Sequence, residues 1–273
     1  MSATNLHARP SKDFDAKLAE TRAVLLQAAA DYNVASELTQ ASSLGAEDVV
    51  ITHIGNSLRL EIPLFVLETG MLHPQTLALL AQTQQTNPGR VAVYTPRTET
   101  AVHFVATHGK DAMYQSIALR KDCCHIRKVE PLERALAGKK AWITGLRREQ
   151  SNARAEVPLV DTSEAATNTQ TGRTGLVKIN PLANWTWGDV WHYIQQHSVP
   201  YNPLHDEFFP SIGCAPCTRA IALGEDFRAG RWWWEDENAK ECGLHVKDDA
   251  SSAISTSALP GSSPLPQSAR ITA

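Results

Sequence analysis

Apolar residues at helical spacing run through Phe14, Leu18, Val24 and Leu25 toward Tyr32, after a first dozen residues without such order. Further on, short apolar runs alternate with stretches of helical period. The runs Pro63–Leu67, Val91–Tyr94, Ala141–Thr144 and Leu176–Ile179 predict strands, and Glu47–Leu60, Pro74–Gln85, Lys128–Ala137 and Thr186–His197 predict helices. Another strand is expected just before Ser42. Strands and helices that alternate in this way predict an α/β fold with a mostly parallel twisted sheet flanked by helices. Ligands of such sheets bind beyond the carboxyl ends of the strands. Two stretches break the pattern. Asp161–Thr174, rich in Thr, Asn, Gln and Gly, reads as a surface loop, and the Ser, Ala and Pro-rich end reads as disordered. The expected organisation is a flexible N-terminus over 1–12, a single domain over 13–235, a mobile arm over 236–246 and a disordered tail over 247–273.

Composition narrows the function classes. The 273 residues are 42% apolar, enough for a packed core, and the net charge of −3 gives no global case for nucleic acid. No apolar run approaches the roughly 20 residues that span a bilayer, and the N-terminus lacks the apolar core of a secretory signal. A cytoplasmic protein without membrane or nucleic-acid partners is expected. In that compartment disulfides are rare, and clustered cysteines bind metal or react.

The five cysteines divide four and one. Cys123 and Cys124 are adjacent, Cys214 and Cys217 form a C-x-x-C, and Cys242 stands apart before Gly243. Structural zinc sites usually draw on two spaced pairs, a geometry that adjacent cysteines do not copy. An iron–sulfur cluster accepts four thiolates from varied spacings and is the favoured ligand of the inner four. Cys242 would then be a nucleophile, its thiolate favoured by nearby cations drawn from Arg127, Lys128, Arg147, Arg148, Arg228 and Arg231. The competing reading of Cys242 is an inert surface thiol.

Three segments carry the marks of an anion site, each with a structural alternative. Ser42, Ser43 and Gly45 precede a predicted helix, where small residues leave backbone N–H groups open to a phosphate, or serve only as its N-cap. Glu68, Thr69 and Gly70 close the next strand, where a carboxylate could accept from ribose hydroxyls or merely sit in a turn. Arg147 and Arg148 follow the Ala141–Thr144 strand, and Arg228 and Arg231 flank three consecutive tryptophans. Guanidiniums so placed can grip sulfate or phosphate in a bidentate fashion, or remain solvated.

Taken together, Cys123-Cys124 with Arg127-Lys128, Gly213-Cys214-Ala215-Pro216-Cys217, Glu241-Cys242-Gly243-Leu244-His245 and Gly145-Leu146-Arg147-Arg148-Glu149-Gln150-Ser151 resemble the iron–sulfur type of assimilatory adenylyl-sulfate (APS) reductases, of the PAPS/APS reductase family. The resemblance runs from about Ala41 to His245. It implies a fold like the adenine-nucleotide α-hydrolases, related to the PP-loop ATPases, and a [4Fe–4S] cluster on Cys123, Cys124, Cys214 and Cys217. It also implies that Cys242 attacks the sulfur of APS, and that thioredoxin or a similar dithiol resolves the S-sulfocysteine. Substrate contacts are expected from Ser42, Ser43, Gly45, Glu68, Thr69, Gly70, Lys128, Arg147, Arg228, Arg231 and His245. Glu68 departs from the Asp often found in the family. The rival readings are a reductase of the 3′-phosphorylated substrate, PAPS, and a non-enzymatic redox regulator. Oligomeric state is left open, a homo-oligomer included.

Overall fold

The computed structural model describes residues 2–163, 175–222 and 224–235. Among the described residues six strands form one sheet: β1 (Leu38–Ser42), β2 (Leu64–Leu67), β3 (Val91–Tyr94), β4 (Ala141–Ile143), β5 (Val160–Asp161) and β6 (Val177–Ile179). Their order is β3-β2-β1-β4-β6-β5. All neighbours pair in parallel except β5, which lies antiparallel on β6. The order reverses between β1 and β4, the switch point at which open α/β sheets bind ligands.

The helices are α1 (Ala3–His7), α2 (Phe14–Asp31), α3 (Ala46–Ser57), α4 (Pro74–Thr86), α5 (Thr98–His108), α6 (Ile117–Cys124), α7 (Glu130–Leu136) and α8 (Trp187–His197). The four bounded strands and α3, α4 and α8 lie where the apolar runs and periods predict them. Helix α8 starts where expected because Thr186 and Asp189 form a reciprocal capping box. The first dozen residues, expected to be loose, pack as α1 and a following turn. Ala3 is fully buried, its N–H donates to Asp206, and the Ser11 N–H and hydroxyl donate to buried Asp189. The predicted helix Lys128–Ala137 proves to be a π-turn over His125–Val129 followed by α7. Helices α5 and α6 were not anticipated.

Two cores result. The larger joins the sheet to α2, α3, α4 and α8 through residues such as Leu25, Val50, Ile54, Leu64, Ile143 and Trp191. The smaller gathers Phe104, Met113 and Trp232 around Cys123, Cys124, Cys214 and Cys217. Helices α5 and α6 build that second core, so the cysteines are part of its packing. Among the described residues, no helix is long and apolar enough to cross a membrane.

Candidate active site

A cavity of about 240 Å³ opens at the carboxyl ends of β1, β2 and β4. Ser42, Ser43 and Gly45 line it from the β1–α3 loop, Thr69 from the end of β2, and Gly145, Gln150 and Arg154 from the loop after β4. Lys128 enters from the π-turn, and Gly213, Arg228 and Arg231 complete the wall. Four cations thus face a cavity whose carboxylates are Glu47 and Asp48, a balance that favours an anionic ligand. The first turn of α3 has no side-chain cap, since Gly45 occupies the N-cap position. Its amides therefore suit a phosphate or sulfate oxygen.

The two carboxylates are managed differently. Arg147 Nε and Gln150 Nε2 each donate to Glu47 Oε1 at 2.9 Å. Burial pushes the Glu47 carboxyl upward, but the Arg147 charge and these hydrogen bonds outweigh it and hold it below the usual range. Asp48 Oδ2 accepts from the Ser43 N–H at 2.6 Å and hydroxyl at 2.8 Å. Burial nevertheless dominates and pushes Asp48 up to about 6. An unfolded aspartate releases its proton near pH 4, so between about pH 4 and pH 6 the folded state binds more protons than the unfolded one. The contribution of Asp48 to stability therefore falls as pH rises through that window, by roughly 3 kcal/mol. Asp48→Asn cannot ionise and is expected to flatten this part of the curve of urea midpoint against pH. A slope identical to that of the wild type would show that Asp48 does not hold the proton.

Two glycines allow the close approaches that shape the wall. A Cβ at Gly145 would stand 2.5 Å from Asp48 Oδ1, and one at Gly213 would stand 2.5 Å from Arg231 Nη2. The second contact seats the Arg231 guanidinium against bare backbone, where it donates to the Ile212 carbonyl.

Beside this cavity lies a smaller one lined by Cys123, Cys124, Cys214 and Cys217 together with Arg120, Arg127 and Lys128. Lys128 lines both. Cys123 and Cys124 end α6, and the π-turn that follows carries Lys128, a helical irregularity frequent at functional sites. Cys214 and Cys217 bracket a 3₁₀ turn anchored by the Ala215 N–H on the Met71 carbonyl, and Thr69 Oγ1 lies 3.2 Å from Cys214 Sγ. All four thiols are buried and free of disulfides. Burial and the neighbouring Cys214 push Cys217 up to about 12, and burial also raises Cys123 against the pull of Arg127. Four buried thiols converged on one cavity beside Arg120, Arg127 and Lys128 are a donor set of the kind that a metal group takes up by displacing the thiol protons. Among the described residues no three His, Cys, Asp or Glu side chains stand at the spacing of a single metal ion.

Of the sequence-predicted contacts, Ser42, Ser43, Gly45, Thr69, Lys128, Arg228 and Arg231 come together around the larger cavity. Three do not line it. Glu68 folds back to accept from the Gly70 N–H at 2.7 Å, and Gly70 adopts φ +71° with its backbone against Arg127. Arg147 is buried and committed to Glu47 and Glu149, so it acts on the anion site only through Glu47. The exposed Arg148 spends its donors on the Val157 carbonyl and Asn184. Cys242 and His245 lie outside the described residues. The sequence reading missed Arg154, which reaches the cavity from a 3₁₀ turn and donates to Gln150 Oε1 at 2.6 Å. Its one signal was a position in the same loop after β4 as the arginine pair.

The sheet order and the cation-lined cavity at the switch point define an open-sheet α/β protein of the kind that binds its ligand at that edge. At the level of fold alone, the chain is similar to yeast FAD synthetase in complex with FAD (TM-score 0.55, 12% identity, 80% of this chain and 73% of that one). It is also similar to phosphoadenylyl-sulfate reductase from Candida auris in a phosphate complex (TM-score 0.58, 28% identity, 71% of this chain and 88% of that one). Residues 37–220 match the phosphoadenosine phosphosulfate reductase domain, and the chain belongs to that family. Among curated relatives, adenosine 5′-phosphosulfate reductase of Allochromatium vinosum is 50% identical over 210 residues, 77% of this chain and 79% of that protein. The protein of the same name from Rhizobium meliloti is 46% identical over 213 residues, 78% of this chain and 77% of that one.

Proposed function

We infer that the protein is a reductase of adenosine 5′-phosphosulfate, producing sulfite and AMP in sulfate assimilation. The observation that carries this reading is Lys128, shared by a cation-lined cavity at the switch point and by the cavity of four buried thiols. Family membership and the names of the curated relatives support it.

The sulfur of a sulfate monoester is screened by anionic oxygens, so a thiolate approaches only where their charge is offset. Lys128, Arg154, Arg228 and Arg231 supply that offset in a partly enclosed site, where fixed charges act more strongly than in water. The Cys242 thiolate then attacks sulfur, the bond from sulfur to the bridging oxygen breaks, and AMP leaves with the electron pair. Cys242 becomes an S-sulfocysteine. A thiolate of thioredoxin or a similar dithiol attacks the Cys242 sulfur and expels sulfite, and its second thiol closes a disulfide and restores Cys242. Two thiols are oxidised for each sulfur reduced, so no other electron source enters.

Cys123, Cys124, Cys214 and Cys217 are the residues that would hold a [4Fe–4S] cluster through their thiolates. When bound, such a cluster supplies a fixed local charge and order to the turn that carries Lys128. Free thiols of this kind persist in a reducing compartment, and a cytoplasmic location is part of the proposal.

The test is the intact mass of anaerobically purified protein mixed with APS or with PAPS, no reductant being added. A sulfonate adduct on Cys242 with APS alone is the expected result. An adduct formed equally with both would make the enzyme one of dual specificity, and an adduct with PAPS alone would reassign the substrate. The absence of any adduct, in protein with a full complement of iron, would sink the two-step mechanism.

A further inference from the structure

Arg120 and Glu235 form a buried two-pronged ion pair that the reaction above does not use. Arg120 Nε and Nη2 donate to the two Glu235 carboxylate oxygens at 2.9 and 2.7 Å, and the side chains are 1% and 3% exposed. Arg120 belongs to α6, three residues before Cys123, and lines the cysteine cavity. Glu235 precedes Cys242 by seven positions.

Trp232 packs beside this pair. Its ring is fully buried, with the guanidinium of Arg120 4.7 Å from the centroid and that of Arg231 at the same distance. Its backbone has φ +42°, a region that a bulky L-residue rarely occupies unless its surroundings enforce it. The Trp232 N–H donates to the Cys217 carbonyl, and the Glu235 N–H donates to the Trp232 carbonyl. The turn over 231–235 is therefore held at one end by Arg231, which lines the substrate cavity, and at the other by Arg120.

We propose that the Arg120–Glu235 pair is a positioning clamp for the reacting thiol, fixing the point from which the chain departs for Cys242 onto the helix that ends in Cys123 and Cys124. This rests on the reading of Cys242 as the nucleophile. Seven residues reach at most about 25 Å, so the placement and direction of their root govern how often the thiolate meets the bound sulfate. Orientation of two reactants is worth large factors in rate without any change in affinity. Arg120 also hydrogen-bonds Cys124, so iron content is read beside the rate, and the pair reaches Cys242 through the strained turn rather than by contact with it.

Glu235→Gln keeps the size of the side chain and removes its charge. The experiment compares iron content, AMP affinity by equilibrium dialysis, and the single-turnover rate of Cys242 sulfonation at saturating APS, read by quenched-flow mass spectrometry. The expected result is iron content and AMP affinity within about twofold of wild type, with sulfonation slowed tenfold or more. Glu235→Asp, which keeps the charge on a shorter stem, should recover part of the rate, and it supplies the same comparison if Glu235→Gln loses iron. An unchanged sulfonation rate would overturn the clamp, as would a rate that falls only in step with iron content or AMP affinity. Wild-type protein that forms no adduct would overturn the reading of Cys242 itself, and the clamp with it.

Discussion

Replacing Cys242 by Ser is expected to abolish the reduction of APS, with turnover lowered by at least about 10⁴-fold, as for other essential nucleophiles. Iron content and AMP affinity should remain within about twofold of wild type. The loss has two causes. A serine hydroxyl is un-ionised near neutral pH and is a far weaker nucleophile than a cysteine thiol, part of which is already thiolate. Even a serine that did attack would carry its sulfur as an O-sulfate, with no sulfur–sulfur bond for a dithiol to cleave, so sulfite could not leave. The four described cysteines are buried together in the second core, and none of them can stand in for Cys242 without dismantling that core. Sulfite release with APS and thioredoxin is the measurement. Activity retained by the serine variant would remove Cys242 from the mechanism and leave the redox regulator as the better reading.

Lys128→Gln is expected to lower kcat/KM for APS by about 10² to 10³, the usual effect of removing one charge aimed at the developing anion. The substitution keeps most of the stem, which matters because Lys128 is buried between two cavities and contributes packing as well as charge. Two readouts separate the roles. A charge that acts on the transferring sulfate should lower the rate of adduct formation while iron content holds, whereas a lysine needed mainly to shape the cysteine cavity should lose iron in proportion to activity. Adduct formation at the wild-type rate would exclude Lys128 from transition-state stabilisation.

Arg147 shows where inference from residue type stops. An arginine pair at a strand end is a sound signal for an anion grip, and the cavity is where that signal pointed. The guanidinium nevertheless meets Glu47, 100 positions earlier in the chain, at 2.9 Å. Removing one partner of such a buried pair leaves an uncompensated charge, typically at a cost of about 3–5 kcal/mol. Arg147 thereby offsets the charge of a carboxylate in the first turn of α3, and Arg154 lines the cavity where Arg147 was expected. Glu68 is a similar case on a smaller scale. Its carboxylate has a hydrogen-bond donor two residues away, the Gly70 N–H, and accepts from it without lining the cavity.

By itself the sequence determined the alternation of strands and helices, the position of β1 to β4 relative to the anion-binding loops, and the division of five cysteines into four and one. Those features are local. A buried strand such as β2 reads as an apolar run, a capping box spans four residues, and clustered thiols are recognisable by type wherever they fall. Tertiary structure alone decided that Lys128 faces two cavities, that Arg120 meets Glu235, and that Arg154 rather than Arg147 reaches the cavity. Each of these depends on which distant carboxylate or thiol folds alongside a cation. A guanidinium or ammonium is equally suited to a substrate anion and to an internal one, so its residue type carries no record of the partner it will find.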